Sequence, residues 1–363
     1  MLKRRTLTQL LAAASLVPAV GQAQGRYPLT RIAFGSCAEQ RRPQPIWDAV
    51  LAYHPDLFIF AGDNVYGDFS TADAAGLRQA YDIAGQIAGY ARLRGKVPHL
   101  AVWDDHDYGR NDGGADFPHK AVAKDEFLNF WNVPADDVRR TREGIYSAHI
   151  IGPPGMRVQV ILLDLRWFRS PLKRTDRRDA LGKERYMPDA DPAKTMLGDE
   201  QWAWLAAELR KPAEVRLLVS SIQVLAEGHG WERWGNFPLE RQKLFDTIRA
   251  SNANGVVLLS GDRHFGALYR ETPVGGYSLY EITSSGLNIV SSVLDAIYWN
   301  MREPGPNRLG GVHVVPNFGV IDIDWRDRTI TLAVRDESGS VRCSVTIAVD
   351  DLILGKQPAA SRG

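Results

Sequence analysis

The chain has 363 residues, 44% of them hydrophobic, with 44 Lys+Arg against 43 Asp+Glu and a formal charge of +1. That balance excludes an electrostatic footprint for nucleic acid or an acidic membrane, while the apolar fraction is enough for a large core. Two cysteines, Cys37 and Cys343, are too few for a disulfide framework; one bridge, or two separate roles, stay open.

The N-terminus "MLKRRTLTQLLAAASLVPAVGQAQG" has a basic start, an apolar segment over 10–20 and a small-residue exit at Gly21-Gln22-Ala23. This is the form of a secretory signal peptide over 1–23. Arg4-Arg5 before Thr6-Leu7 also fits a twin-arginine leader, the alternative being an ordinary secretory start that holds two arginines. The expected partner there is the export machinery, and the expected location is periplasmic or secreted. No other stretch has the length of a transmembrane helix.

Beyond the leader, short apolar runs end in polar chemistry. "RIAFGSC" ends at Cys37, "PDLFIFAGDNVYGD" in Asp63 and beyond, and "KVPHLAVWDDHD" in an acid cluster. "RVQVILLDLRWF" ends in Asp164 and Arg166, "EVRLLVSSIQ" in Ser221 and Gln223, and "GVVLLSGDRHFG" in Asp262 and His264. Such runs read as strands buried on both faces. Helical periodicity lies between them, as in "GDEQWAWLAAELRK" and "PLERQKLFDTIRAS". The alternation predicts an α/β architecture with ligands outside the C-terminal strand ends. The later runs "YSLYEITSS", "NFGVIDIDW" and "RTITLAVRD" predict a second, largely antiparallel sheet. The whole reads as one domain over 27–352, with a flexible tail over 353–363.

Asp104, Asp105, His106 and Asp107 are consecutive, and carboxylates this close repel unless something positive sits among them. Gathered with Cys37, Asp63, Tyr66, Asp262 and His264, Asp105 and His106 of this run suggest the donor set of a metal site, with room for two ions or more. Asp63 is the best-placed bridge between them. Each residue alone has a plainer reading: Cys37 as a small buried side chain, Tyr66 as core or rim, the Gly-Asp pairs as turn closures. Asp104 and Asp107 read as hydrogen-bonded scaffold. Arg166 suits a phosphate oxygen or, equally, a salt bridge to a neighbour. His229, in "EGHGWERWGNFP", belongs to a loop that shapes the pocket or simply packs on the surface. Walker A, G-x-S-x-G and H-E-x-x-H patterns are absent, so serine-nucleophile and zinc-protease chemistry have no support.

"FIFAGDNVYGD", "VWDDHDYG" and "SGDRHFG", in this order, resemble the blocks of the calcineurin-like metallophosphoesterases. The departures are patterned: Cys37 stands where D-x-H would be, Tyr66 replaces the second acid of G-D-x-x-D, Asp105 replaces an asparagine and Asp262 a histidine. Together with "MLGDEQWAWL" and "LLDLRWFR" they resemble the alkaline phosphatase D family, the calcium- and iron-dependent branch. The resemblance implies a four-layer α/β/β/α sandwich. By matching positions it implies Fe3+ on Cys37, Asp63 and Tyr66 with Asp262 near them, and Ca2+ on Asp63, Asp105 and Asn111, with His264 a ligand or a support. Tyrosinate suits ferric iron, and a thiolate is unusual for calcium.

The expected function is a secreted metal-dependent hydrolase of phosphate monoesters or diesters. A metal-bound hydroxide attacks phosphorus, His106 protonates the leaving group, and Asp105 and Arg166 complete the catalytic set. The alternatives are a phosphodiesterase or phospholipase acting on lipid head groups, and a non-catalytic periplasmic protein that binds metal or phosphate.

Overall fold

Three apolar runs begin the first sheet: β1 (Arg31–Gly35), β2 (Leu57–Ala61) and β3 (His99–Val102), paired in parallel. The β2 run LFIFA is buried at every position, as a strand covered on both faces requires. The computed structural model describes residues 27–274, 276–290, 301–303 and 305–355. The leader expected over 1–23 and residues 356–363 of the expected tail lie outside the described residues.

The second sheet begins with β4 (Ser147–Ile151) at its edge, followed by β5 (Val158–Leu162), β6 (Val215–Val219) and β7 (Val256–Ser260). β5, β6 and β7 are mutually parallel and fully buried. The strands beyond Gly266 correct the expectation of a separate antiparallel sheet, because they divide between the two sheets. β8 (Gly266–Val274), β9 (Tyr277–Ser284) and β10 (Arg308–His313) extend the second sheet to the order β10-β8-β9-β7-β6-β5-β4. β11 (Asn317–Asp324), β12 (Thr329–Asp336) and β13 (Val341–Ala348) return to the first, where β11 pairs antiparallel with β1. The reason is β1: its apolar run is buried, so its second edge needs a hydrogen-bonded neighbour.

β9 lies against β11 and β12, and β8 against β13, so the two sheets face one another. Helices lie outside them. Trp47 of α1 (Ile46–Tyr53) meets Phe58 and Phe60 of β2, and Tyr90 of α3 (Ala88–Lys96) meets Phe60. α2 (Ala75–Gln86) stacks Tyr81 on Phe130 of α5 (Lys120–Phe130). On the other side, Gln159 of β5 donates to the Glu208 carbonyl of α6 (Gly198–Leu209), which packs beside α7 (Pro238–Ala250). These are the four layers expected, α/β/β/α. Among the described residues no helix is long and apolar enough to cross a membrane.

Candidate metal centre

The C-terminal ends of β1, β2, β3 and β7 deliver Cys37, Asp63, the Asp104–Asp107 run and Asp262–His264 to one place. Cys37, Asp63, Asp262 and His264 have φ of 62°, 48°, 69° and 59°. Left-handed backbone outside glycine is costly and clusters where geometry serves a site. Gly62 precedes Asp63 at φ 105°, and a Cβ there would meet the Asp104 Cβ at 2.6 Å. Only glycine lets the β2 and β3 ends approach this closely.

Asp63 is the hub. Its Oδ2 accepts from the Cys37 thiol at 3.5 Å and from the Tyr66 hydroxyl at 3.2 Å, and its Oδ1 accepts from the His106 backbone N–H at 3.2 Å. The Tyr66 hydroxyl is 3.2 Å from His264 Nε2. Donor atoms of Cys37, Asp63 and His264 lie within 4.8 Å of one another, as do those of Asp63, Asp104, Asp105 and Asp262, and those of Asp63, Asp105 and His106. Asp262 groups with the acids, and its charge also acts on the Cys37 thiol. Asp105 continues into a further group with Asp112 and Glu232.

Burial, then the neighbouring Asp105, pushes the Asp63 carboxyl well above its usual range. Asp262 is pushed up to about 7 by burial and Asp105, and the buried Cys37 thiol up to about 12. Asp105 goes the other way: burial opposes it, but His106 and Arg166 hold it low. Buried acids that repel one another are stabilised by a cation. Two of their oxygens, Asp105 Oδ1 and Asp104 Oδ2, are buried and accept no hydrogen bond from the described residues. Thiol, phenol and imidazole on one side and carboxylates on the other fit bound metal.

His106 lies in α4 (Asp105–Tyr108), a single turn closed by a capping box between Asp104 and Asp107. Asp107 takes the Asp104 N–H at 2.5 Å and the Asn64 N–H at 3.2 Å, the scaffold role expected of it. His106 Nδ1 is 2.6 Å from Asp68 Oδ2, and its ring lies 4.2 Å from that of Tyr66. Burial lowers its pKa, but Asp105, Asp63 and the Asp68 bond outweigh this and lift it to about 11.

Arg166 is fully buried: its Nε is 2.7 Å from Asp104 Oδ1 and its NH1 2.8 Å from Glu232 Oε2. Its charge goes to these carboxylates in the floor. Arg169 reaches the other Glu232 oxygen at 3.0 Å. Asn111 is exposed and touches the site through its backbone N–H, 2.9 Å from Asp68 Oδ1. Its neighbour Asp112 comes closer to the acids, donating its N–H to Asp105 Oδ2 at 2.6 Å. Arg185 NH1 and the Tyr186 hydroxyl hold Asp112 Oδ2 at 2.9 and 2.8 Å.

Asp68, Asp112, Glu232 and Ser285 were not singled out by sequence reasoning. Ser285 touches the Cys37 sulfur at 3.3 Å and accepts the His264 N–H at 2.7 Å. For Asp68 a signal existed, a second Gly-Asp pair five residues after the first. The loop holding His229 shapes the site through Glu232, while His229 itself is buried beside Glu303 at 3.7 Å. Cys37 and Cys343 are both free.

Comparison with known proteins bears on the family and the fold. The family model described as "PhoD-like phosphatase" matches residues 32–296. Alkaline phosphatase D of Bacillus subtilis (strain 168) is 23% identical over 244 residues, 59% of this chain and 41% of the relative, so the match spans about two fifths of that protein's length. A solved structure titled "Structure of PhoD" superposes with a TM-score of 0.68 at 16% identity, over 94% of this chain and 74% of that one. "GAP50 the anchor in the inner membrane complex of Plasmodium" superposes with a TM-score of 0.55 at 11% identity, over 91% and 90%. Both likenesses are of fold. The chain belongs to the PhoD-like phosphatase family.

Proposed function

We propose that this chain hydrolyses phosphate esters with the help of cations bound at the strand-end cluster, and that His106 gives the leaving group its proton. One observation carries the reading: Asp63 and Asp105 belong to overlapping donor groups, directly beside an imidazole held by a carboxylate. Cys37, Asp63, Tyr66 and His264 would hold iron, and Asp63, Asp105 and Asp262 calcium, the all-oxygen set. Cations there would polarise the phosphoryl oxygens and lower the pKa of the attacking water, so that its nucleophilic, deprotonated form is available near neutral pH.

The chain's own groups do the rest. Asp68 takes the Nδ1 proton of His106 and leaves Nε2 as the nitrogen that delivers a proton. Tyr66 supports the ring plane. Arg166 acts as a positioning residue: it neutralises Asp104 and Glu232 and so fixes the floor on which Asp105 stands. Residues 1–23 direct export to the periplasm or beyond, a proposal that rests on their sequence.

The test uses mature protein produced with calcium and iron supplied. Turnover of p-nitrophenyl phosphate and bis-p-nitrophenyl phosphate is measured with and without chelator. Hydrolysis that chelator abolishes is expected, and the preferred ester assigns monoesterase or diesterase. Turnover indifferent to chelator, or none of either ester, contradicts the proposal.

A further inference from the structure

Among the described residues, the hydroxyls of Ser285 and Ser36 lie 3.3 and 3.5 Å from the Cys37 sulfur, and both serines are buried. A serine hydroxyl has one hydrogen to give and two lone pairs to receive, so each hydrogen can be traced. Ser36 gives its hydrogen to the Ser284 carbonyl at 3.2 Å. The Cys37 thiol gives its own to Asp63 Oδ2 at 3.5 Å. Ser285 accepts the His264 backbone N–H at 2.7 Å, which leaves the sulfur to take its hydrogen. We infer that Ser285 is a positioning residue of the cation site: its hydroxyl donates to the Cys37 sulfur while it accepts from the His264 backbone, which ties these two residues together and draws electron density from the sulfur. The inference rests on the proposed reading of Cys37 and His264 as iron ligands.

The backbone fixes this hydroxyl. Ser285 directly follows β9 of the second sheet, and its N–H donates to the Phe265 carbonyl at 3.1 Å. The N–H groups of Leu287 and Asn288 donate to the Ser36 and Cys37 carbonyls at 3.0 and 3.4 Å. The turn after β9 thus grips the end of β1 from the facing sheet. Cys37 and His264 both hold left-handed backbone, φ 62° and 59°, and Ser285 braces one at its sulfur and the other at its amide. A sulfur bound to a metal has given up its proton, so the Ser285 bond is then made to a thiolate. Hydrogen bonds to a ligand sulfur tune an iron site, because they hold back charge that the sulfur would otherwise donate. Taking the bond away brings sulfur and ferric iron closer in energy. The sulfur-to-iron absorption then moves to longer wavelength, and the ferric state is favoured over the ferrous.

The test loads the mature protein with iron and calcium and compares the parent with Ser285→Ala, Ser36→Ala and Cys37→Ser. The readouts are the visible absorption of the ferric protein and its reduction potential. The part of the spectrum that Cys37→Ser removes belongs to the sulfur. Ser285→Ala is expected to move that part to longer wavelength and to lower the potential, and Ser36→Ala to leave both in place. An unchanged band and potential in Ser285→Ala, or equal shifts in the two serine variants, overturn the inference. Should Ser285→Ala fail to fold, resonance Raman of the parent in H2O and D2O takes its place: an iron–sulfur stretch that shifts on deuteration supports the bond, and one indifferent to it overturns the inference. A parent that binds no iron, or shows no band that Cys37→Ser removes, contradicts the proposed iron site instead. Ser285 is then judged with cobalt(II) in place of iron. A near-ultraviolet thiolate band that moves in Ser285→Ala supports its role, and a fixed or absent band overturns it.

Discussion

Replacing Arg166 with leucine would strand Asp104 in the protein interior and leave Glu232 to Arg169 alone. The guanidinium and both its partners, Asp104 and Glu232, are at most 1% exposed, at 2.5 and 2.8 Å. Breaking a buried pair from one side leaves an uncompensated charge and costs about 3–5 kcal/mol. For a chain of this size that is a fall in Tm of about 4–7 °C. Arg166→Lys keeps the charge, but a single ammonium lacks the fork that spans both acids, so it should recover only part of the loss. Asp104→Asn in the Arg166→Leu background should cost less than the sum of the two changes, because it removes the stranded charge. The assay is thermal unfolding of the four variants beside the parent, with KM for a phosphate ester measured in parallel. A loss under about 1 kcal/mol together with a raised KM would refute the reasoning. It would mean that the guanidinium is free to meet substrate, the phosphate-binding role that its place after β5 first suggested.

Asp68→Asn should lower kcat about a hundredfold for esters with poorly acidic leaving groups, and far less for p-nitrophenyl phosphate, with KM unchanged; equal losses on both contradict a proton-delivery role for His106. Cys37→Ser should lower bound iron and alter the visible absorption, and an unchanged metal content and spectrum would return the thiol to packing. His149, half-buried on β4, is held down by burial to about 4 from the usual 6.5. Its folded pKa is depressed, so the unfolded chain takes the proton first and stability falls as pH drops from 6.5 towards 4, by at most about 3 kcal/mol. His149→Gln should flatten that acid limb, and a parent-to-variant difference independent of pH would contradict the assignment.

The strand-end cluster was legible in the sequence to the extent that local pattern encodes it. Apolar runs ending at Cys37, Asp63, Asp105 and Asp262 mark strand ends, and the two facing sheets, each with parallel strands at its centre, bring these ends together. Contacts between distant segments were not legible. Arg166 reaches Asp104 across 62 positions and Glu232 across 66, and no periodicity records such pairs. Strand partners were hidden for the same reason: "NFGVIDIDW" reads as a strand, but its place beside β1 rather than β9 depends on which edge stays open. Between Asn111 and Asp112 the difference is one of backbone. Asp112 adopts φ 51° as the chain turns after α4, which brings its N–H to Asp105, and a residue-type pattern cannot carry that.

The account turns on Asp63 as the carboxylate shared between cations. The most direct measurement is metal content and turnover on the same samples of parent and Asp63→Asn, before and after chelation and on re-adding calcium and iron. Asparagine tolerates the left-handed backbone of that position, so the change removes charge with little strain. The account predicts that the parent loses metal and turnover together and regains both, while the folded Asp63→Asn protein binds less of each metal and stays inactive. Full turnover in metal-stripped parent, or normal metal and turnover in Asp63→Asn, would contradict it.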